Sequence, residues 1–260
     1  MPELPDLEVF AENLTKYTAG KKIKKVEVFK DKPVLPLKPH EFITFAEGKI
    51  IKAVKRFGKQ LLFTFDDGKT LLLHLMLHGE LYYINEGEKI PDYSVAAFHL
   101  SDKKVLVFKD HTQWLKLRLH TEGEHVIDPI SKAFTTVFFK TLLSQKAKTT
   151  LKEIMIDQEN ITGIGSAYAD EICYNAKIRP QRLAGDLDDK EIKALYKAVV
   201  STLTDAVKVI KKATKGNITG EYTEHFAVHG KKKGVCPLGH KTATLKIGGR
   251  GSVYCAKCQK

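Results

Sequence analysis

An α+β chain of two domains is predicted from three features of the sequence. Short strand-like segments fill the first half after a single helical stretch, helical periodicity dominates the second half, and three of the four cysteines fall within the last 25 residues. With 260 residues, 43% of them hydrophobic, the chain can build two cores. It contains no run of about 18 apolar residues of the kind that spans a membrane, so no membrane association is expected.

Along residues 3–17, Leu4, Leu7, Phe10, Leu14 and Tyr17 recur at helical spacing, and Glu3, Asp6 and Glu8 suit the positive end of a helix dipole. Eight short segments rich in β-branched, aromatic and leucine residues follow: IKKVEVF, KIIKAVKRF, QLLFTF, TLLLHLML, ELYYI, VAAFHL, KVLVFK and WLKLRL. Asp66-Asp67-Gly68 marks a hairpin turn between two of them. One helix and eight strands predict a β-sandwich or a barrel. The pattern changes at EGEHVIDPI, residues 122–130, giving a first domain over 1–128. Helical stretches follow at FTTVFFKTLLSQ, LKEIMID and AYADEICYNA, and a long helix runs from about Asp188 to Lys212. In that helix Ile192, Leu195, Val199, Leu203, Ala206 and Val209 or Ile210 form the apolar face, and Gly216-Asn217 ends it. The helical domain is placed at 129–222 and the cysteine-rich tail at 223–260.

Charge is divided unevenly. Residues 1–130 hold 20 Lys and Arg against 19 Asp and Glu, whereas residues 131–260 hold 23 against 12, so almost all of the net +12 lies in the second half. That asymmetry points to a polyanionic partner, most simply nucleic acid. The early acids and the lack of an apolar stretch near Met1 do not read as an export signal, and clustered cysteines suit metal binding in a reducing compartment.

Four stretches carry candidate chemistry. If Met1 is removed, Pro2 becomes a terminal secondary amine, with roughly a tenth of it unprotonated at pH 7. Such an amine can attack a sugar aldehyde carbon and gives an iminium that is always cationic. Glu3 beside it can exchange protons. Pro2 and Pro5 also suit the first turn of a helix. Lys59 sits at a strand start after Gly58, and His74 sits in an apolar strand. GIG at 163–165 leads into a helix whose N-terminal N–H groups make an anion site. In the tail, Cys236-x3-His240 and Cys255-x2-Cys258 flank a hairpin-sized stretch, giving four ligands for one tetrahedral structural Zn²⁺. His229 is a looser alternative to His240, and Arg250 lies between glycines on the hairpin, placed for a phosphate.

Together these stretches resemble the formamidopyrimidine-DNA glycosylase and endonuclease VIII family of base-excision repair enzymes. PELPDLEV is similar to the family's PELPEVE start, RFGKQLLF to its R-x-GK-x-L stretch, and HLMLHG to its HLGMSG. GIGSAYADE resembles its GIGNIYADE, the helix-two-turn-helix signature, and GRGSVYCAKCQ its zinc hairpin. The resemblance covers nearly the whole chain in order. It implies an N-terminal helix plus an eight-stranded β-sandwich, then a helical domain with a helix-two-turn-helix and a zinc β-hairpin finger. It implies that Pro2 attacks C1′ of a damaged nucleotide with Glu3 as acid/base, and that Lys59 belongs to the catalytic set and also holds phosphate. His74, Gly165, Ser166 and Arg250 would contact the DNA backbone. Leu77, Gln113 and Trp114 would fill the gap left by an extruded nucleotide or face its orphaned partner. The activity implied is base removal followed by β,δ-elimination at the abasic sugar. The partner implied is damaged double-stranded DNA in the cleft between the domains. The protein is expected to act as a monomer in a bacterial-type cytoplasm, on the nucleoid through its DNA.

Several positions depart from the family pattern. Ser166 stands at an asparagine, Leu77 at a methionine, Asp6 at a glutamate and His240 at a cysteine. In KDHTQWLKL, Thr112 and Gln113 replace two arginines and Trp114 a phenylalanine. GNITGEYTEHFAVHG, residues 216–230, is shorter than the loop with which purine-specific members cover 8-oxoguanine. These changes favour ring-opened purines, oxidised pyrimidines or abasic sites as substrates. They also leave two other readings, a non-enzymatic damaged-DNA-binding protein and an abasic-site lyase with little glycosylase activity; a third, an RNA-binding zinc protein, is compatible with the GIG helix and the sandwich.

Overall fold

The computed structural model describes residues 1–120, 127–231 and 234–260. The pattern change read at 122–130 therefore lies largely outside the described residues. The chain divides into two compact units. The first holds Met1–Pro2, Asp6–Glu124 and Ala213–Glu221; the second holds Glu3–Pro5, His125–Lys212 and Tyr222–Lys260.

The first unit is built on helix α1 (Leu4–Thr18) and eight strands: β1 (Ile23–Val28), β2 (Ile51–Phe57), β3 (Gln60–Phe65), β4 (Thr70–His74), β5 (Glu80–Asn85), β6 (Ser94–Leu100), β7 (Lys104–Lys109) and β8 (Lys116–Leu119). They form two antiparallel four-stranded sheets, ordered β1-β6-β7-β5 and β2-β3-β4-β8. The sandwich expected from the sequence is therefore present. Along β3, Leu61, Phe63 and Phe65 are buried and alternate with half-exposed residues, the period-two pattern of a strand with one face on a core. Phe63 and Phe98 meet Phe108 from opposite sheets, with ring centroids 6.4 and 4.9 Å away. Leu7, Phe10 and Leu14 of α1 join this core. The hydroxyl of Thr15 both donates to the Val54 carbonyl and accepts the Val54 N–H, at 2.8 Å each, fastening α1 to edge strand β2.

Two local features differ from the sequence reading. Helix α2 (Pro39–Ala46) was not expected, because LPLKP breaks the periodicity just before it. The strand read over 70–77 stops at His74: Met76 adopts a left-handed backbone (φ 57), and the Gly79 N–H closes a turn on the Leu75 carbonyl at 2.8 Å. A Cβ on Gly79 would lie 2.3 Å from that carbonyl oxygen, so only glycine fits. The turn leaves Leu77 half-exposed at its tip.

The second unit packs α3 (Thr136–Gln145), α4 (Leu151–Ile156), α5 (Ser166–Ala176) and α6 (Asp189–Thr214), followed by the hairpin β9 (Ala243–Ile247) and β10 (Arg250–Tyr254). Thr150 and Glu153 form a capping box at the start of α4. On α6 the buried stripe uses Ile210, while Val209 faces outward. Leu4 belongs to this unit's core. Its N–H bonds to the Gly163 carbonyl at 3.0 Å, and a Cβ on left-handed Gly163 (φ 92) would come within 2.9 Å of the Leu4 side chain.

Candidate active site and metal centre

In the first unit, Pro2 is buried in the wall of a cleft of about 250 Å³. The remaining walls are the turn at Leu77–Glu80, Lys109, His111 and the Gly220–Glu221 segment. Lys109 reaches Glu80 at 2.8 Å and the Tyr82 hydroxyl donates to the same carboxylate at 2.9 Å. The bond from Lys109 keeps Glu80 below the usual carboxylate range. The amino group of Met1 pairs with Glu221. The His78 and His111 rings lie 4.8 Å apart between centroids.

Beside this cleft, Asp110 organises the loop between β7 and β8. Its buried carboxylate accepts the N–H groups of Thr112, Trp114 and Leu115 and the Thr112 hydroxyl, at 2.7 to 2.8 Å. Burial raises the affinity of Asp110 for a proton, but these four donors outweigh it and hold the group ionised. The loop sets Gln113 in a left-handed conformation (φ 58) and leaves Trp114 half-exposed.

His74 ends β4, opposite Lys116 of β8. The Met76 N–H donates to His74 Nδ1 at 2.9 Å, which leaves the remaining ring proton on Nε2. Burial, then the charges of Lys59, Lys116 and Arg118, push its pKa down to about 4. His74 is thus a neutral N–H donor at pH 7, next to the half-buried Lys59 at the β2–β3 turn.

In the second unit, the helix N-terminus expected to await an anion already holds one. Glu3 accepts the N–H groups of Gly165 at 2.6 Å, Ala167 at 3.1 Å and Tyr168 at 3.3 Å. The dipole of α5 and its unpaired N–H groups favour a carboxylate there. Ser166 donates its hydroxyl to the Gly251 carbonyl at 3.0 Å. A buried ion pair ties this helix to the hairpin. Lys152 of α4 reaches Asp170 at 2.6 Å and also the carbonyls of Ser166 and Gly251. Asp170 further accepts the Ser252 hydroxyl, the Val253 N–H and His229 Nδ1. His229 is spent on Asp170. Nothing in the spacing of Lys152 or Asp170 set them apart in the sequence; two successive acids in the apolar helix were the available signal. Arg250 is exposed, directly after the two-residue turn Gly248-Gly249.

The side-chain donor atoms of Cys236, His240, Cys255 and Cys258 lie within 4.8 Å of one another. Cys236 and Cys258 sulfurs are 3.8 Å apart, and His240 Nδ1 is 3.3 Å from Cys258 Sγ. A tetrahedral ion with sulfur ligands at about 2.3 Å has edges of about 3.8 Å, so the cluster fits one metal ion. The Cys236 thiol is lowered to about 7, its burial outweighed by the N–H groups of His240 and Leu238 and by the neighbouring thiols. Cys258 is pushed up to about 11, by burial and then by the Cys255 and Cys236 sulfurs. Three cysteine sulfurs and one imidazole nitrogen make the donor set of a structural zinc site.

Residues 1–117 match the formamidopyrimidine-DNA glycosylase N-terminal domain, and residues 126–217 match the H2TH domain of the same enzymes. The chain belongs to the formamidopyrimidine-DNA glycosylase family. Among its relatives, the formamidopyrimidine-DNA glycosylase of Listeria monocytogenes (serovar 1/2a) is 34% identical over the full length of both chains. That of Bacillus subtilis is 31% identical over 100% of this chain and 99% of its own. The fold matches that of Lactococcus lactis Fpg in its complex with DNA containing an abasic site, with TM-score 0.89, 23% identity and 99% of each chain covered. The same protein with Fapy-dG-containing DNA superposes equally well, at 24% identity over 99% of this chain and 100% of that one. Within this glycosylase chain, the structure gathers Pro2 and Leu77 on one cleft, while His74 and Lys59 share one charged neighbourhood. Glu3, Gly165, Ser166 and the carbonyl of Gly251 next to Arg250 are drawn together in the second unit. Glu221, His78, His111, Glu80 and Asp110 were missed, because each gains meaning only from a partner distant in sequence. Among the described residues no helix is long and apolar enough to cross a membrane.

Proposed function

We propose that this chain is a base-excision glycosylase with an associated abasic-site lyase, acting on damaged duplex DNA as a monomer through a Schiff base at Pro2. The observation that carries this reading is Pro2 itself: the residue that becomes a secondary amine when Met1 is removed lines a cleft in an enzyme of this family. The relatives' names and the DNA bound by the Lactococcus lactis Fpg structures support damaged DNA as the substrate. The amine attacks C1′ and the base departs; loss of a proton from C2′ of the resulting iminium then drives elimination of the 3′ phosphate, and a second elimination releases the 5′ phosphate. In this reading Lys59, Arg250 and Ser166 contact phosphates, His74 donates one neutral hydrogen bond, and Gly165 shapes the turn that carries Ser166. Leu77, Gln113 and Trp114 fill the gap left by the extruded nucleotide or face its orphaned partner. Glu3 acts from its seat on α5. One Zn²⁺ held by Cys236, His240, Cys255 and Cys258 shapes the hairpin that carries Arg250. The shorter 216–230 segment favours ring-opened purines, oxidised pyrimidines or abasic sites over 8-oxoguanine.

The test is reductive trapping on duplexes bearing one abasic site or one lesion, with mass spectrometry of the N-terminal peptide. An adduct on Pro2, absent when Met1 is retained, is expected. Tight binding with no adduct would instead mean recognition without cutting. Fastest single-turnover excision of 8-oxoguanine opposite cytosine would overturn the base preference.

A further inference from the structure

Residues 216–221 are fastened to α1 and β5 at several points. The Tyr17 hydroxyl donates to the Gly216 carbonyl at 2.7 Å, Asn13 donates to the Asn217 carbonyl at 2.8 Å, and Thr219 Oγ1 accepts the Leu81 N–H at 3.3 Å. Gly216 is left-handed (φ 86), and a Cβ there would come 2.4 Å from the Tyr17 hydroxyl. Left-handed Gly220 (φ 81) then turns Glu221 onto the wall of the Pro2 cleft. There its carboxylate meets the amino group of Met1. The Met1 and Pro2 nitrogens are three bonds apart, within about 4 Å. Removal of Met1 therefore leaves the new amine within reach of the same carboxylate.

Glu3 follows Pro2 in sequence, but its two oxygens accept three N–H bonds from the start of α5. Those oxygens are already committed to the helix N-terminus. Of the other ionisable groups on the cleft, Glu80 is held by Lys109 and Tyr82, and His78 and His111 pack against each other.

We propose that Glu221 is a further catalytic residue, the base and then the acid that serves the Pro2 amine. This rests on the reading of Pro2 as the nucleophile. On an abasic site, Glu221 takes one proton from the Pro2 ammonium. The freed lone pair forms the N–C1′ bond, and the carbonyl pair moves onto the aldehyde oxygen. Glu221 delivers its proton to that oxygen and takes the second proton from nitrogen. It gives that proton to the same oxygen, which leaves as water as the nitrogen lone pair closes the iminium. Both amine protons end on water, and Glu221 returns to a carboxylate.

The experiment is single-turnover cyanoborohydride trapping on an abasic duplex from pH 5.5 to 9, using protein verified to lack Met1. Wild type, Glu221→Gln and Glu221→Asp are compared, with Kd measured for each on the same duplex. Glu221→Gln is expected to trap at least tenfold more slowly at pH 7, to recover as the pH rises and solvent deprotonates the amine, and to bind within twofold of wild type. Glu221→Asp should regain part of the rate. Trapping by Glu221→Gln at the wild-type rate across the range overturns the proposal. A rate loss matched by an equal loss of binding also overturns it, since the residue then serves affinity. A wild-type protein that binds but never forms an adduct removes the Pro2 reading itself and this one with it. The wild-type arm alone reports that outcome, so the two failures are distinct.

Discussion

Burial, then the charges of Lys59, Lys116 and Arg118, keep His74 neutral down to about pH 4, and its Nδ1 accepts the Met76 N–H. The unfolded chain binds that proton near pH 6.5, so between the two values the unfolded state carries more protons than the folded one, and stability falls as pH falls. The contribution of His74 to that loss between pH 7 and pH 5 is about 2 kcal/mol. Denaturant titrations of wild type and His74→Gln at both pH values check this. The wild type should lose about 2 kcal/mol more than the variant, and equal losses would mean that His74 titrates normally. The residue types at this site could be read in advance: a terminal proline with a glutamate, a lysine after glycine, a histidine in an apolar strand. Their states could not. The neutrality of His74 depends first on its burial in the folded sheet and then on charges that include Lys116 and Arg118, more than forty positions away along the chain and brought close by the pairing of β4 with β8. Likewise the anion at the start of α5 proved to be Glu3, about 160 residues upstream.

The hairpin β9–β10 has five residues per strand, joined by Gly248 and Gly249, both left-handed (φ 54 and 77), as a two-residue hairpin turn requires. A two-stranded hairpin is marginal alone. Asp170 and Lys152 hold this one by bonding Ser252, Val253 and the Gly251 carbonyl, and a metal ion at Cys236, His240, Cys255 and Cys258 would add to them. Removal of the metal by a chelator should therefore speed hydrogen exchange in 243–254 and weaken DNA binding, while amides in β1–β8 stay protected. Unchanged exchange in the hairpin would mean that the buried ion pair suffices. Elements of this kind were legible where periodicity and turn chemistry agree: the alternating strands, the apolar stripe of α6, the glycine turns. They were illegible where a short tertiary feature overrides the pattern. TLLLHLML continues as a strand on paper, but Met76 and Gly79 turn the chain after His74. Helix α2 has eight residues between prolines and breaks, too few for a periodic signal.

At the scale of the whole molecule, the uneven charge sets the kind of binding to expect. Residues 131–260 carry 23 Lys and Arg against 12 acids, so association with DNA should be dominated by counterion release. If about four phosphates are neutralised, the slope of log affinity against log salt is about −3.6, and affinity falls about a hundredfold from 50 to 200 mM salt. If Lys59 in the first unit and Arg250 in the second each hold a phosphate, replacing either by alanine should make the slope shallower by about one. His74→Ala is the informative contrast: its neutral ring should lower affinity at every salt concentration and leave the slope unchanged. Fluorescence anisotropy on an abasic duplex at five salt concentrations separates these cases. A slope that changes with His74 but not with Arg250 would exchange their roles. It would put a charged imidazole on the DNA and leave the β9–β10 hairpin without a phosphate contact, so these three slopes test the proposed electrostatic contacts independently of the chemistry.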